Sequence, residues 1–318
     1  MSFKDSKVVI VGVGNVGATT AFSIVNQGIC EELVLIDVNH DKAYAEALDM
    51  QHSVYFMNRN IKVRAGEYSD CKDADIVIIT AAAPMPKDST DRLSMLAPSL
   101  NIIKSIVDSV MESGFDGIFV CISNPVDIMT YCVWRYSHLP KSRVIGSGTT
   151  LDSARLSCEL AQMYDLDAKS VSAYVIGEHG DSETVSWNSA TIGGKNVNDV
   201  MSDNASRTKD MTKEKLREMT VKAGWEIFGR KGNTSYGIAA SVTAIVKSIL
   251  FNENRIYPVS ILLEGEYGLD GVVLSVPCIL DKNGAKEIVE IKLLDEEKKA
   301  LVKSAEVLKP FYKEIFKD

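Results

Sequence analysis

Long apolar runs and closely spaced cysteines are both missing from this 318-residue sequence. No apolar run reaches the roughly 18 residues that a membrane-spanning helix requires, so no membrane partner is expected. The six cysteines are scattered, and the closest pair, Cys121 and Cys132, is eleven positions apart. Because structural zinc sites and thioredoxin-like motifs need closely spaced cysteines, we expect no metal site and a set of buried, reduced thiols.

Positively charged residues are fewer than negatively charged ones. Lysines and arginines number 35 against 43 aspartates and glutamates, which gives a net charge of −8. The basic residues form no stripe, so nucleic acid is not an expected partner. Because the overall field would repel an anion, an anionic substrate would need individually placed arginines. The first residues, MSFKDSKVVIVGVG, enter a strand-like run without a cleavable leader, and we expect a cytoplasmic protein.

The first half of the chain alternates apolar, β-branched runs with longer amphipathic segments. Because these runs are continuously apolar, they favour a parallel sheet covered by helices on both faces. Strands are predicted at about residues 8–13, 32–38, 61–66, 74–81, 117–123 and 143–148.

The second half has a different pattern. Helices are predicted at about 150–164 and 212–229, and Asn283-Gly284 marks the turn of a hairpin. A closing amphipathic helix is predicted to be capped by Asp295. We therefore expect an α/β protein of two domains, residues 1–147 and 148–318, the first a parallel sheet and the second mixed α/β with antiparallel strands.

A glycine-rich segment, GVGNVG at residues 12–17, follows the first predicted strand and opens the first predicted helix. Gly12 permits a tight turn, Gly14 lets backbone amides approach a pyrophosphate, and Gly17 lets the helix pack on the strand. Asp37 ends the second strand, where its carboxylate can accept hydrogen bonds from a ribose and would repel a 2′-phosphate. The pattern predicts NAD as the cofactor, and the alternative is an ordinary glycine turn beside a surface aspartate.

Among the four histidines, His179 lies in the segment GEHGDSE (177–183), directly after an apolar run. Histidine gains or loses a proton near neutral pH, as proton delivery to a ketone requires. Asp152 and Arg155 are three positions apart, so they share one face of a predicted helix. The aspartate can orient an imidazole, and the arginine can bind a carboxylate through two hydrogen bonds. The alternatives are a structural or surface histidine and an ordinary ion pair on a helix surface.

Four motifs, GVGNVG, ISNPVD, LDSAR and GEHGDS, occur in this order along the chain. Together they make the sequence resemble the lactate and malate dehydrogenase family of L-2-hydroxy acid dehydrogenases over essentially its whole length. The sequence resembles the lactate branch of this family more closely than the dimeric malate branch. The resemblance implies a Rossmann domain followed by a mixed α/β catalytic domain, usually in a tetramer, and reversible hydride transfer between NADH and a small 2-oxo acid.

The resemblance also implies roles for individual residues. His179 would donate and accept the proton, Asp152 would orient it, and Arg155 would bind the substrate carboxylate. Arg92, on the loop TAAAPMPKDSTDRL (80–93), would polarise the substrate carbonyl when that loop closes. Asn124, followed by a cis bond to Pro125, and Thr234 would contact the substrate. The cofactor would contact Gly12, Gly14, Asn15, Val16, Gly17, Asp37, Thr80, Ala81 and Asn124.

The loop departs from the family's pattern at Met85. Lactate dehydrogenases usually have glutamine near this position and malate-specific relatives have arginine, although counting back from Arg92 places Pro86 there. Neither residue supplies a guanidinium for the second carboxylate of oxaloacetate, which would be left unpaired. We expect pyruvate as the preferred substrate, with branched-chain 2-oxo acids such as 2-oxoisocaproate as the second candidate. Oxaloacetate, the substrate of a malate dehydrogenase, is the third. A Met85 that only packs the closed loop, and an NAD-binding sensor without catalysis, are further alternatives.

Many bacterial relatives bind fructose 1,6-bisphosphate between subunits through an arginine and a histidine. Ser157 and Ser172 occupy those positions here, and serines offer no charge-assisted pair for a phosphate. We therefore predict little or no activation by fructose 1,6-bisphosphate. The measurement is the Michaelis constant for the 2-oxo acid with and without this ligand, and a strong decrease would contradict the prediction.

Overall fold

Two compact units make up the computed structural model, which describes residues 6–83, 96–208 and 211–316. The first unit comprises Met1–Ser147, Ser235–Arg255 and Leu280–Lys286. The second comprises Gly148–Thr234, Ile256–Ile279 and Glu287–Asp318. Two stretches of the expected second domain, residues 148–318, thus pack within the first unit.

The helices and strands follow one another as the alternating sequence pattern indicates. The helices are α1 Asn15–Gln27, α2 His40–Ser53, α3 Leu96–Glu112, α4 Val126–Ser137, α5 Thr150–Tyr164, α6 Val197–Asp203, α7 Lys213–Lys231, α8 Tyr236–Leu250 and α9 Asp295–Ile315. The first six strands are β1 Lys7–Val11, β2 Glu32–Ile36, β3 Lys62–Ala65, β4 Ile76–Ile79, β5 Ile118–Cys121 and β6 Val144–Gly146. The others are β7 Val171–Ser172, β8 Val175–Ile176, β9 Thr184–Val185, β10 Thr191–Ile192, β11 Lys195–Asn196, β12 Arg255–Glu264, β13 Asp270–Asp281 and β14 Gly284–Ile288.

The first unit is built on a parallel sheet. Its strands lie in the order β6-β5-β4-β1-β2-β3, and every neighbouring pair is parallel. All residues of β1, β4 and β5 are buried, because helices cover both faces of such a sheet. This strand order is that of a Rossmann fold, so the predicted fold class is confirmed.

Helix α1 packs closely on β1 and also contacts α8. A Cβ atom at Gly17 would lie 1.9 Å from the carbonyl oxygen of Gly12, so only glycine permits this approach. On the α8 side, the Thr243 hydroxyl donates to the Ser23 hydroxyl at 2.9 Å. The apolar face of α8 is therefore covered within the first unit, which is why Ser235–Arg255 belongs to it.

The second unit contains antiparallel strands, as expected. β7 and β11 flank β10 in a three-stranded sheet, β8 pairs with β9, and β12 lies beside β13. A core of apolar side chains from α5, β8, β9 and neighbouring segments supports them. Its members include Leu156, Leu160, Tyr164, Val171, Val175, Val185 and Leu216.

The hairpin and the closing helix test two local predictions. The hairpin is confirmed, since β13 neighbours β14 and only Lys282 and Asn283 separate them. The prediction that Asp295 caps α9 is wrong, because Leu294 occupies the cap position and Asp295 is the first helical residue. The carboxylate that accepts the Leu294 backbone N–H, at 2.9 Å, belongs to Glu297.

The cysteine thiols are reduced and buried as expected, except at Cys158. All six cysteines are free, and five are buried, with Cys158 exposed. Burial raises the pKa of the Cys30 thiol to about 12, so it is not a thiolate nucleophile at neutral pH. Within the described residues, no helix combines the length and apolarity that crossing a membrane would need.

The contact between α1 and β1 predicts a strong effect of one methyl group. Gly17→Ala should destabilise the chain by about 1–3 kcal/mol or more, because the added Cβ forces the helix away from the strand. Gly229→Ala is the matched control, since Gly229 lies on the exposed surface of α7 with nothing within 4 Å of its Cβ position. The free energy of unfolding of that variant should be higher by about 0.5–1 kcal/mol. Urea unfolding at one protein concentration measures both, and equal effects would contradict the packing argument.

Candidate active site

The glycine-rich segment of the first unit forms a cradle at the end of β1. Gly12 has φ 98°, and a Cβ atom there would lie 2.7 Å from the backbone nitrogen of Ala81. The Thr80 hydroxyl donates to the Gly12 carbonyl oxygen, which ties the end of β4 to this turn. By contrast, Gly14 is exposed, and a Cβ atom there would meet nothing within 4 Å. Gly12 is thus needed for packing, whereas the space in front of Gly14 is open to a ligand.

The same edge of the sheet carries an anion site and a carboxylate. Asn15 and Val16 open α1, whose first backbone N–H groups favour a phosphate. Asp37 follows β2 and accepts hydrogen bonds from the backbone N–H of Val13 at 2.7 Å and of Asn39 at 2.9 Å. Each carboxylate oxygen can still accept another hydrogen bond, as a ribose hydroxyl requires. The residues present therefore fit a dinucleotide.

Asn124 lies near this edge because β5 ends beside β4. The Ser123 hydroxyl donates to the carbonyl oxygen of Ala81, which links the two strand ends. The Asn124–Pro125 bond is cis, as expected, and Pro125 precedes the first residue of α4. Thr80, Ala81 and Asn124 are thus brought together with the glycine cradle.

In the second unit, one buried carboxylate contacts both a histidine and an arginine. Asp152, in the first turn of α5, is 2% exposed. Its Oδ2 lies 2.7 Å from Nδ1 of His179, and its Oδ1 accepts a hydrogen bond from Nη1 of Arg155 at 2.6 Å. The side chains of His179 and Arg155 are 30% and 17% exposed, so both remain accessible to a small molecule.

The charge state of Asp152 follows from these two contacts. Burial by itself raises the pKa of the carboxyl group, but the charges and hydrogen bonds of His179 and Arg155 outweigh burial and lower it. Asp152 therefore stays anionic at neutral pH. A buried anion beside an imidazole favours the protonated ring and fixes its orientation.

Side-chain hydroxyls attach the start of α5 to the backbone of β8, the strand before His179. The Thr149 hydroxyl donates to the carbonyl oxygen of Val175 at 2.6 Å. The Ser153 hydroxyl accepts a hydrogen bond from the Val175 backbone N–H at 2.8 Å. Residues on both sides of Asp152 thus fix the distance between α5 and the loop that carries His179, residues 177–183, which we call the histidine loop.

The loop that carries His179 is also attached to β13, α9 and α7, by residues that the sequence analysis did not identify. Gly177 exchanges backbone hydrogen bonds with Ser275 at 2.9 and 3.0 Å. The buried Ser304 hydroxyl, on α9, accepts the Glu178 backbone N–H at 2.7 Å. Arg217, on α7, donates to the backbone oxygens of Asp181 and Glu183, both at 2.8 Å. No local pattern marks Ser304 or Arg217, which lie far along the chain from the loop.

The remaining predicted residues lie elsewhere. Thr234 is half-buried in the short connection between α7 and α8. Met85, Pro86 and Arg92 lie outside the described residues.

Comparison with known proteins agrees with this geometry. Residues 6–146 match the family model described as lactate/malate dehydrogenase, NAD binding domain. Residues 149–318 match the model described as lactate/malate dehydrogenase, alpha/beta C-terminal domain.

Individual relatives cover nearly the whole chain. L-lactate dehydrogenase 3 of Bacillus thuringiensis subsp. konkukian is 48% identical over 309 residues, which cover 97% of this chain and 98% of that protein. L-lactate dehydrogenase 1 of Bifidobacterium longum subsp. longum is 46% identical, with the same coverage. The crystal structure of the minor L-lactate dehydrogenase from Enterococcus mundtii, in its ligands-bound form, superposes with a TM-score of 0.94 at 42% identity, covering 99% of both chains. The chain belongs to the lactate/malate dehydrogenase family of NAD-dependent oxidoreductases.

Proposed function

We propose that this protein is an L-lactate dehydrogenase, which reversibly reduces pyruvate to L-lactate. The observation that carries the proposal is the Asp152 carboxylate, which contacts His179 and Arg155 at once. This arrangement supports the assignment of a proton donor beside a carboxylate-binding group, as a 2-oxo acid requires. An NAD-binding sensor would need neither residue, so catalysis is favoured over binding alone.

Arg155 is assigned to the substrate carboxylate. Its guanidinium has five N–H donors, and Asp152 is contacted through Nη1 only. The other donors can bind a planar carboxylate through two parallel hydrogen bonds. When His179 is protonated, it and Arg155 share the single negative charge of Asp152, so the site carries the positive charge that an anion needs in a chain of net charge −8.

His179 is assigned to the proton. Because Nδ1 contacts Asp152, Nε2 is the ring nitrogen assigned to the substrate oxygen. In the direction of reduction, the protonated ring donates to the carbonyl oxygen, and in oxidation the neutral ring accepts the hydroxyl proton. NADH, when bound, supplies the hydride that is added to the carbonyl carbon.

Further roles rest on the family resemblance. We propose that Arg92 polarises the carbonyl, that Thr234 and Met85 contact the substrate, and that Asn124 contacts both substrate and nicotinamide. NAD binds to the first unit, at the Gly12–Gly17 segment and Asp37. We also propose a cytoplasmic homotetramer.

The names of the relatives favour pyruvate as the substrate. The curated relatives at 46–48% identity are named L-lactate dehydrogenases. Met85 and Pro86 offer no positive charge for a second carboxylate, which disfavours oxaloacetate. Because methionine is apolar and adaptable, branched-chain 2-oxo acids are the second candidate.

The role of His179 predicts a selective loss of turnover. His179→Asn should lower kcat by at least about a hundredfold, because asparagine cannot act as an acid or a base near neutral pH. NADH binding should stay unchanged. His138→Asn is the matched control, since His138 is exposed at the end of α4. Initial rates and NADH fluorescence titration measure the two properties. Loss of both in His179→Asn would argue against the assigned role.

The apolar residues Met85 and Pro86 predict an order of substrates. Initial rates of NADH oxidation should fall from pyruvate to 2-oxoisocaproate to oxaloacetate at matched concentrations. Dominant activity on 2-oxoisocaproate would indicate a wider pocket, and dominant activity on oxaloacetate would show that the substrate argument from Met85 is wrong. A change in NADH fluorescence without consumption of any 2-oxo acid would instead identify a sensor.

A further inference from the structure

A second carboxyl group lies beside the Asp152–His179 pair. Glu183 ends the histidine loop and is 2% exposed. Its Oε1 is buried, and among the residues that the structure describes it has no hydrogen-bond partner. An ionised carboxylate in such a position would lose its hydration without compensation, which is very unfavourable.

The surroundings of Glu183 contain both signs of charge. One side-chain N or O atom from each of Asp152, His179 and Glu183 lies within 4.8 Å of the others. The cations that act on the Glu183 carboxyl are His179, Arg155 on α5 and Arg217 on α7. His179 and Arg155 contact Asp152, and Arg217 donates to backbone oxygens of the loop. No cation therefore pairs directly with the Glu183 side chain in the described structure.

A bound cation is a poor explanation for this cluster. Metal ligands must be deprotonated, and both oxygens of Asp152 are already engaged by Arg155 and His179. A proton is the cation that fits. Two buried carboxyl groups this close cannot both ionise readily, and the one with hydrogen-bond partners ionises first.

We infer that Glu183 is a protonated positioning acid, whose neutral carboxyl leaves Asp152 as the single anion acting on His179. The inference rests on the proposed function, since it concerns the proton that His179 transfers. An ionised Glu183 would add a second negative charge, favour the protonated imidazole and hinder the return of the ring to its neutral form. A neutral Glu183 lets His179 exchange its proton in both directions.

The direction of the pKa shift agrees with this assignment. Burial, followed by the charge of Asp152, raises the pKa of Glu183 to about 9, and the cations His179, Arg155 and Arg217 oppose the shift. The Glu183 carboxyl therefore holds up to one more proton in the folded chain than in the unfolded chain between an ordinary glutamate pKa of about 4.5 and about 9. Over that range, the contribution of Glu183 to stability decreases as the pH rises.

This proton gives a test that does not depend on activity. Glu183→Gln keeps the shape of the protonated acid but cannot ionise. Between about pH 5 and pH 9, the unfolding equilibrium constant of the native chain should rise relative to the variant by up to about tenfold per pH unit. Denaturant unfolding at fixed protein concentration measures it. Parallel stability curves for the two chains would overturn the inference.

Glu297 provides a matched control, because it is a buried glutamate whose oxygens do accept hydrogen bonds. It is 5% exposed, and its carboxylate accepts the backbone N–H groups of Asn188 at 3.0 Å and Leu294 at 2.9 Å. Glu297→Gln should lower stability, since an amide cannot accept at both positions. Glu183→Gln should raise it at pH 8. The same sign in both variants would contradict the assignment.

Infrared spectroscopy of the native chain covers the case in which Glu183→Gln fails to fold. A carbonyl band of a buried, protonated carboxylic acid should be present at pH 7 and should disappear near pH 10. Where Glu183→Gln does fold, its spectrum should lack this band. A native spectrum without a protonated acid at pH 7 would refute the inference.

The pH dependence of the rate tests the link to His179. Below about pH 8, lactate oxidation should have the same pH profile in the native chain and in Glu183→Gln. At pH 10, the native rate should be about threefold to tenfold lower, because ionised Glu183 stabilises the protonated imidazole. Coinciding profiles up to pH 10 would refute the positioning role. An absence of turnover at every pH, with the unfolding difference intact, would instead refute the proposed function.

Discussion

The charge on Asp152 is the constraint on which the second unit depends. A carboxylate that is 2% exposed is tolerable only with partners on both oxygens, and His179 and Arg155 occupy them. Removing either partner would leave a buried charge uncompensated, which typically costs about 3–5 kcal/mol. The first turn of α5 and the histidine loop must therefore lie at a fixed distance from each other, and the neighbouring contacts maintain that distance.

The loop is positioned by hydrogen bonds to its backbone from groups that keep one charge state near neutral pH, including the always charged Arg217. Thr149 and Ser153 attach α5 to Val175, and Ser304 attaches α9 to Glu178. Because these contacts fix the loop, the Asp152–His179 pair does not have to maintain the geometry alone. The imidazole can then change its charge during the reaction without releasing the loop, and this separation of structural from titrating contacts suits reversible proton transfer.

Local patterns predicted the parallel sheet of the first unit well because its requirements lie within neighbouring elements of the chain. The steric demand at Gly17 and the position of Asp37 follow directly from one strand–turn–helix segment and the next strand. Asp152 and Arg155 follow from helical spacing. Their meeting with His179, 27 positions from Asp152, was implied by the family resemblance and not by any spacing.

Other features could not be predicted because they depend on tertiary contacts. The amphipathic pattern of α8 indicates an apolar face but not which unit covers it, and that face packs on α1. Asp295 is a suitable capping residue by type, but the helix begins at Asp295, one residue earlier than a cap at that position would require. The contact with the Leu294 backbone N–H is therefore formed by Glu297. Ser304 is 126 positions from Glu178, and no sequence pattern links the two.

The contrast between Glu183 and Glu297 shows why burial alone does not define a charge state. Both side chains are at most 5% exposed. Glu297 accepts two backbone N–H groups, whereas Glu183 lies near Asp152 and its Oε1 has no partner among the described residues. Hydrogen-bond donors stabilise a carboxylate, and a neighbouring anion destabilises it. The same residue type can therefore be a structural acceptor at the start of α9 and a neutral acid beside His179, and only the three-dimensional arrangement of donors distinguishes the two.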